Sequence, residues 1–182
     1  MRIVLLTMAV AALASAQPPL FIPDSFTAPS EFRTGQFKLV PLGPALAKQD
    51  YDAYMSSIEH LQKTFSGNDR WPTAKLTMDD QARDMAGEQS RFEARKSFTY
   101  SVLTLDGSRE LGCVYISPSG KQGYDAMVRV WVTKDQFDKG FEATLIPAVK
   151  TWLAAKWPFG KVAWPKREIP SEEWNALPNK GL

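Results

Sequence analysis

Residues 124–133, YDAMVRVWVT, run straight into residues 134–153, KDQFDKGFEATLIPAVKTWL, and the change of period between them decides the fold. In the first stretch Ala126, Val128, Val130 and Val132 alternate with Met127, Arg129 and Trp131, the two-residue repeat of a strand. In the second, Leu145, Val149, Trp152 and Leu153 recur at helical spacing after Gly140. Pro147 is tolerated only in a first turn, so regular helix is expected to begin near Ala143 or Thr144, or to kink there. Lys161 to Trp164 then reads as one more short strand, to which such a helix can return as a parallel neighbour.

Working back toward the N-terminus, the two-residue period persists. Phe98, Tyr100 and Val102 alternate with Thr99, Ser101 and Leu103, and Asp106-Gly107 is a hairpin signal. Leu111 to Ile116 is the next strand, stopped by Pro118 and turned by Gly120 and Gly123, so three strands form an antiparallel meander. Ahead of it lie two helices. Tyr51, Tyr54, Met55, Ile58, Leu61, Gln62 and Phe65 share one face, with Asp50 as the expected N-cap and Gly67 as the stop. The second opens at Thr77 with Asp80 three residues on, a capping box, and Met78, Ala82, Met85 and Phe92 form its expected buried face. Phe37 to Leu42 precedes both as a strand. The order is β-α-α-β-β-β-α-β: an α+β chain with a mixed, mostly antiparallel sheet flanked by helices.

The 182 residues carry 44% apolar and 23% charged side chains with a net charge of +2, which suits one soluble domain. Scattered basic residues give no stripe for nucleic acid. Met1-Arg2, an uncharged run from Ile3 to Leu13 and the small-residue site Ala14-Ser15-Ala16 form a secretory signal over residues 1–16, cleaved near Ala16. Export to a periplasm or beyond follows, with no membrane attachment after cleavage. Residues 17–36, with Pro18, Pro19, Pro23 and Pro29, form an extended segment lying on the domain; residues 37–165 form the domain, and residues 166–182 a loose proline-rich tail.

Cys113 is the only cysteine and His60 the only histidine, too few for a zinc cluster, so no metal is expected. Cys113 reads as a small buried hydrophobe and His60 as a solvated side chain. Glu110 and Asp125 flank strands and read as surface charges. There is no glycine-rich phosphate motif and no G-x-S-x-G, and catalytic residues are not assigned.

Glu31-Phe32-Arg33-Thr34 followed by Phe37-Lys38-Leu39-Val40-Pro41-Leu42 resembles the opening phrase of many GNAT N-acetyltransferases. The strands Leu111–Ile116 and Val130–Thr133, then Lys134 to Leu153, continue in the family's order over most of Phe32 to Pro165. The resemblance implies acetyl-CoA as co-substrate and an amine as acceptor. It places Val130 and Val132 beside the pantetheine arm, and Lys139 and Gly140 at the pyrophosphate, where unpaired helix-start amides favour anions. It also implies that the strands around Tyr115 and Trp131 splay apart. One departure stands out. Aligned on Gly140, the family's Arg/Gln position holds Phe137 and its small position holds Glu142, a carboxylate where an anion should sit. The alternative reading is an exported, non-catalytic module binding a ligand or a partner protein on the same scaffold.

Overall fold

A computed structural model describes residues 21–181; the expected signal, residues 1–16, lies outside them. Six strands form one sheet in the order β1-β2-β3-β4-β5-β6, namely Phe32–Arg33, Lys38–Pro41, Phe98–Leu103, Glu110–Pro118, Ala126–Val132 and Val162–Ala163. All neighbours are antiparallel except β5 and β6, which are parallel. The helices are α1 (Ala47–Met55), α2 (Ile58–Leu61), α3 (Met78–Glu93), α4 (Lys134–Asp138), α5 (Glu142–Lys156) and α6 (Ser171–Ala176).

Alternation along the strands sorts side chains onto two faces, and each face is covered. On one, Leu39, Tyr100, Val102, Val114, Val128 and Val130 pack against Leu145, Val149, Trp152 and Leu153 of α5. On the other, Cys113 and Trp131 meet Ala53 and Tyr54 of α1, Leu61 of α2 and Met85 of α3. α5 starts at Glu142 with Pro147 inside it, so the helix tolerates a missing amide hydrogen there.

Several expected details shift for physical reasons. The first helix breaks at Ser56 and Ser57, continuing through α2 into a wider turn that Gly67 ends at φ +72°. Thr77 and Asp80 do form the capping box. The buried side of α3, however, is Gln81, Met85 and Glu88, while Met78 is exposed. Polar Gln81 and Glu88 turn inward because buried partners await them: Gln81 binds Asp50 and Tyr54, and Glu88 accepts from Thr99. In the described part of the N-terminal segment, residues 21–36, Ile22 is buried and Phe21 is stacked on Phe98 and Phe159. The C-terminal residues are tied down rather than loose. Lys121 donates to the carbonyls of Asn175 and Leu177, and Trp174 packs on Tyr124.

The largest correction concerns where the sheet opens. β4 and β5 do not splay at Tyr115 and Trp131. They pair without interruption from Gly112–Val132 to Pro118–Ala126, and the Trp131 indole donates to the Tyr115 hydroxyl at 3.1 Å. A short hairpin joins these strands, so their ladder closes locally. Gly112 lets them approach so closely that a Cβ there would strike the Trp131 carbonyl. Gly112→Ala is therefore expected to cost about 1–3 kcal/mol through overpacking. Urea unfolding of the variant measures it; a cost near zero would mean the pairing is looser than described.

Candidate functional site

The sheet opens one strand further on. β6 reaches β5 only at Ala126–Val162 and Met127–Ala163. Asp125 sets this start: its carboxylate accepts from the amides of Gly160 and Lys161 at 2.8 Å each. Two residues later Pro165, which has no amide hydrogen to extend a ladder, turns the chain away. Lys166 follows at φ +64°. From Val128 onward β5 keeps β4 on one side but has no strand on the β6 side, where a cleft of about 320 Å³ opens between Arg129, Val130, Lys166, Arg167, Phe65 and Trp174.

A side chain bridges this slot. The Arg167 guanidinium donates to the Val130 carbonyl at 3.4 Å and to the Glu142 carboxylate at 2.5 Å. Both side chains are about four-fifths covered, at 19% and 18% exposure, so solvent screens the pair weakly. Arg167 Nε is buried and lacks a hydrogen-bond partner.

The segment from β5 to α5 folds on itself. Thr133 caps α4 by accepting from the Gln136 amide, and the Lys134 amide donates to Ser57 Oγ at 2.9 Å. Gly140, at φ +72°, donates to Phe137, while the amides of Phe141 and Ala143 donate to Gln136 and Gly140. The positive φ at the end of α4 is one that glycine adopts without a Cβ penalty. Lys139 pairs with Asp135 at 2.8 Å on the surface. Of the four residues the resemblance placed at a cofactor, Val130 thus meets Arg167, and Lys139 and Gly140 are engaged within their own loop. Val132 is buried beside the His60 ring. His60 is half-buried rather than solvated, its ring tilted against that of exposed Phe137 at 4.7 Å, and burial lowers its pKa. Arg167 lay beyond the region of resemblance, and no sequence spacing connects it to Glu142.

Away from the slot, α1, α3 and β4 enclose a polar cluster that sequence reading missed. Asp50 is not a cap: it sits inside α1, buried, accepting from Gln81 at 2.7 Å. Glu110 is not a surface charge: it is 3% exposed. Cys113 Sγ lies 3.0 Å from Glu110 and 3.4 Å from Asp50. One ligand atom from each of Asp50, Glu110 and Cys113 falls within 4.8 Å of the others, a donor set that counting only cysteine and histidine overlooks. Burial raises the pKa of all three, Glu110 and Cys113 most, and the nearby Asp50 charge raises Glu110 further. The cluster as it stands is a hydrogen-bonded network fastening two helices to the sheet.

No sequence-family model matches the chain, and no curated protein matches it in sequence. Solved structures do match. A ribosomal-protein alanine acetyltransferase of Vibrio fischeri superposes with a TM-score of 0.52 at 12% identity, over 68% of this chain and 66% of its own. A GNAT-family acetyltransferase of Bordetella pertussis gives 0.52 at 14% identity, over 74% and 77%. A ribosomal-protein alpha-N acetyltransferase in complex with coenzyme A gives 0.53 at 13% identity, over 66% and 65%. The chain has the GNAT acetyltransferase fold, and the match spans about two-thirds of the length of two of these structures.

The carboxyl cluster carries a pH signature. A raised folded-state pKa means that Glu110 stabilises the fold while protonated and loses this as pH rises from its ordinary 4.5 through the raised value. Wild-type stability should therefore fall across that window, by at most about 1.4 kcal/mol per pH unit for one proton. Glu110→Gln, which cannot ionise, should flatten the fall in denaturant melts from pH 5 to 8. Parallel curves for the two proteins would contradict the assignment.

Proposed function

We propose that this protein transfers an acyl group from acyl-CoA to an amine held in the cleft beside β5. One observation carries the reading: on its outer side β5 loses its β6 partner after Met127, and a side chain stands in for the missing strand. The residues present fit an elongated, anionic co-substrate once Arg167 moves. Its donation to the Val130 carbonyl is the kind of contact an amide hydrogen of the pantetheine arm makes with a strand edge. The Glu142 carboxylate at the head of α5 occupies the place of an anion, and Arg167 is its counter-charge. When bound, acyl-CoA would supply the thioester that the amine nitrogen attacks, the acyl C–S bond breaking as coenzyme A leaves as the thiol with the proton the amine gives up. The chain's own part is to release the Val130 carbonyl, re-aim the Arg167 cation at the phosphates and keep water from the slot.

A specific observation favours the second reading, a non-catalytic ligand-binding module. The amides of Phe137, Lys139, Gly140, Phe141 and Ala143 are already bonded within their own loop and helix ends, so they are not free to hold a pyrophosphate. We propose export as well, from the leader at residues 1–16, and export supports this second reading because acyl-CoA is a cytoplasmic metabolite.

Titration with acetyl-CoA separates the two. Under the acyltransferase reading, acetyl-CoA at 100 times its dissociation constant stabilises the fold by about 2.7 kcal/mol. Glu142→Gln, which removes a like charge from the phosphate seat, tightens binding by about tenfold or more. No binding by either protein at millimolar acetyl-CoA would leave the ligand-binding module as the function.

A further inference from the structure

The floor of the cleft is strongly and unevenly charged. Arg129, Lys166 and Arg167 all line it, and no carboxylate does. Arg129 Nη2 and Lys166 Nζ both donate to the same oxygen, the Phe65 carbonyl, at 3.2 and 2.9 Å. The Arg129 guanidinium also lies 4.0 Å above the Phe65 ring. Among the described residues neither Arg129 nor Lys166 has a carboxylate partner. Glu168, the next acidic residue along the chain, is drawn away to Lys150.

Two cations meeting on one neutral oxygen repel each other, and a carbonyl's partial charge offsets this only in part. Partial desolvation, and then the neighbouring Arg129 and Arg167 charges, lower the Lys166 pKa. Each cation keeps donors to spare after bonding Phe65: an ammonium has three and a guanidinium five. Beside them the cleft walls are mixed: Met127, Phe65 and Trp174 supply apolar surface, and Thr64, Ser66, Ser171 and Asn175 neutral polar groups. Its volume of about 320 Å³ suits a small molecule.

We propose that Arg129 and Lys166 form an anion-binding site for a carboxylate or phosphate on a small ligand whose apolar part lies against Phe65 and Trp174. The proposal deepens the reading above in taking the same cleft as the ligand site; where that reading holds, the anion belongs to the acceptor amine, making it an amino acid, a phosphorylated amine or a similar zwitterion. It does not require acyl transfer. An arginine and a lysine converging on one anion give charge-assisted hydrogen bonds, about twice as strong as neutral ones.

The test is a titration of the full chain with inorganic phosphate and, separately, with succinate, in the absence of acyl-CoA and at matched ionic strength. Binding is followed by the NMR shift of the Trp174 indole. The proposal expects saturable binding of one or both probes. Lys166→Gln and Arg129→Gln should each weaken it about tenfold, whereas Lys96→Gln, on the exposed surface, should leave it unchanged. Saturation by phosphate alone assigns a phosphorylated ligand, and by succinate alone a carboxylate. Absence of saturable binding by wild type, or binding that survives Lys166→Gln undiminished, overturns the proposal. Lys166 is exposed, so its variant folds even where a change at half-buried Arg129 does not. Because acyl-CoA is absent, failure here is separate from failure to bind acetyl-CoA.

Discussion

The pairing of β5 with β6 governs this molecule, because it stops after two residues. A strand whose neighbour departs leaves backbone groups that must be satisfied by something else. The residues of the candidate site collect along that edge: the Arg167 bridge, the Glu142 carboxylate and the two cations that share the Phe65 carbonyl. The rest of the sheet makes the opening possible by being tightly closed. Meander strands joined by short turns zip fully, whereas β6 returns only after a long crossover through α5 and is pinned at one end by Asp125.

The two faces of the sheet divide the labour. The α5 side is an aromatic and aliphatic core that brings the head of that helix to the slot. The opposite side carries the buried carboxyl cluster, which sets how α1 and α3 sit on β4. That cluster is costly to ionise, and its hydrogen bonds offset the burial only while protons remain. The polar contacts of this face thus serve helix placement.

Much of this was legible in the sequence. The alternation of Ala126 to Val132, the stripe from Leu145 to Leu153 and the Thr77–Asp80 cap give their elements directly, because period and capping are local. The resemblance to GNAT proteins supplied the fold. What failed to show was everything fixed by contact across the chain. Asp50 and Glu110 look like a cap and a surface charge because nothing near them in sequence announces a buried partner. Met78 looks buried, yet Gln81 takes its place, since polar burial depends on what faces it. The opening was assigned to β4 and β5 because a strand's width of separation is invisible in a string of residues; only the position of Pro165 after Trp164 hinted that β6 ends early. Arg167 escaped because it comes from the segment read as a tail.

Hydrogen exchange along β5 tests the central claim most directly. Alternate amides of a strand point to opposite neighbours, and Val130 faces the slot, as its carbonyl shows. The account predicts slow exchange for Arg129 and Trp131, which face β4, and much faster exchange for Val130 between them. Equal, slow exchange at all three positions would mean that β5 is paired on both sides and that no slot exists.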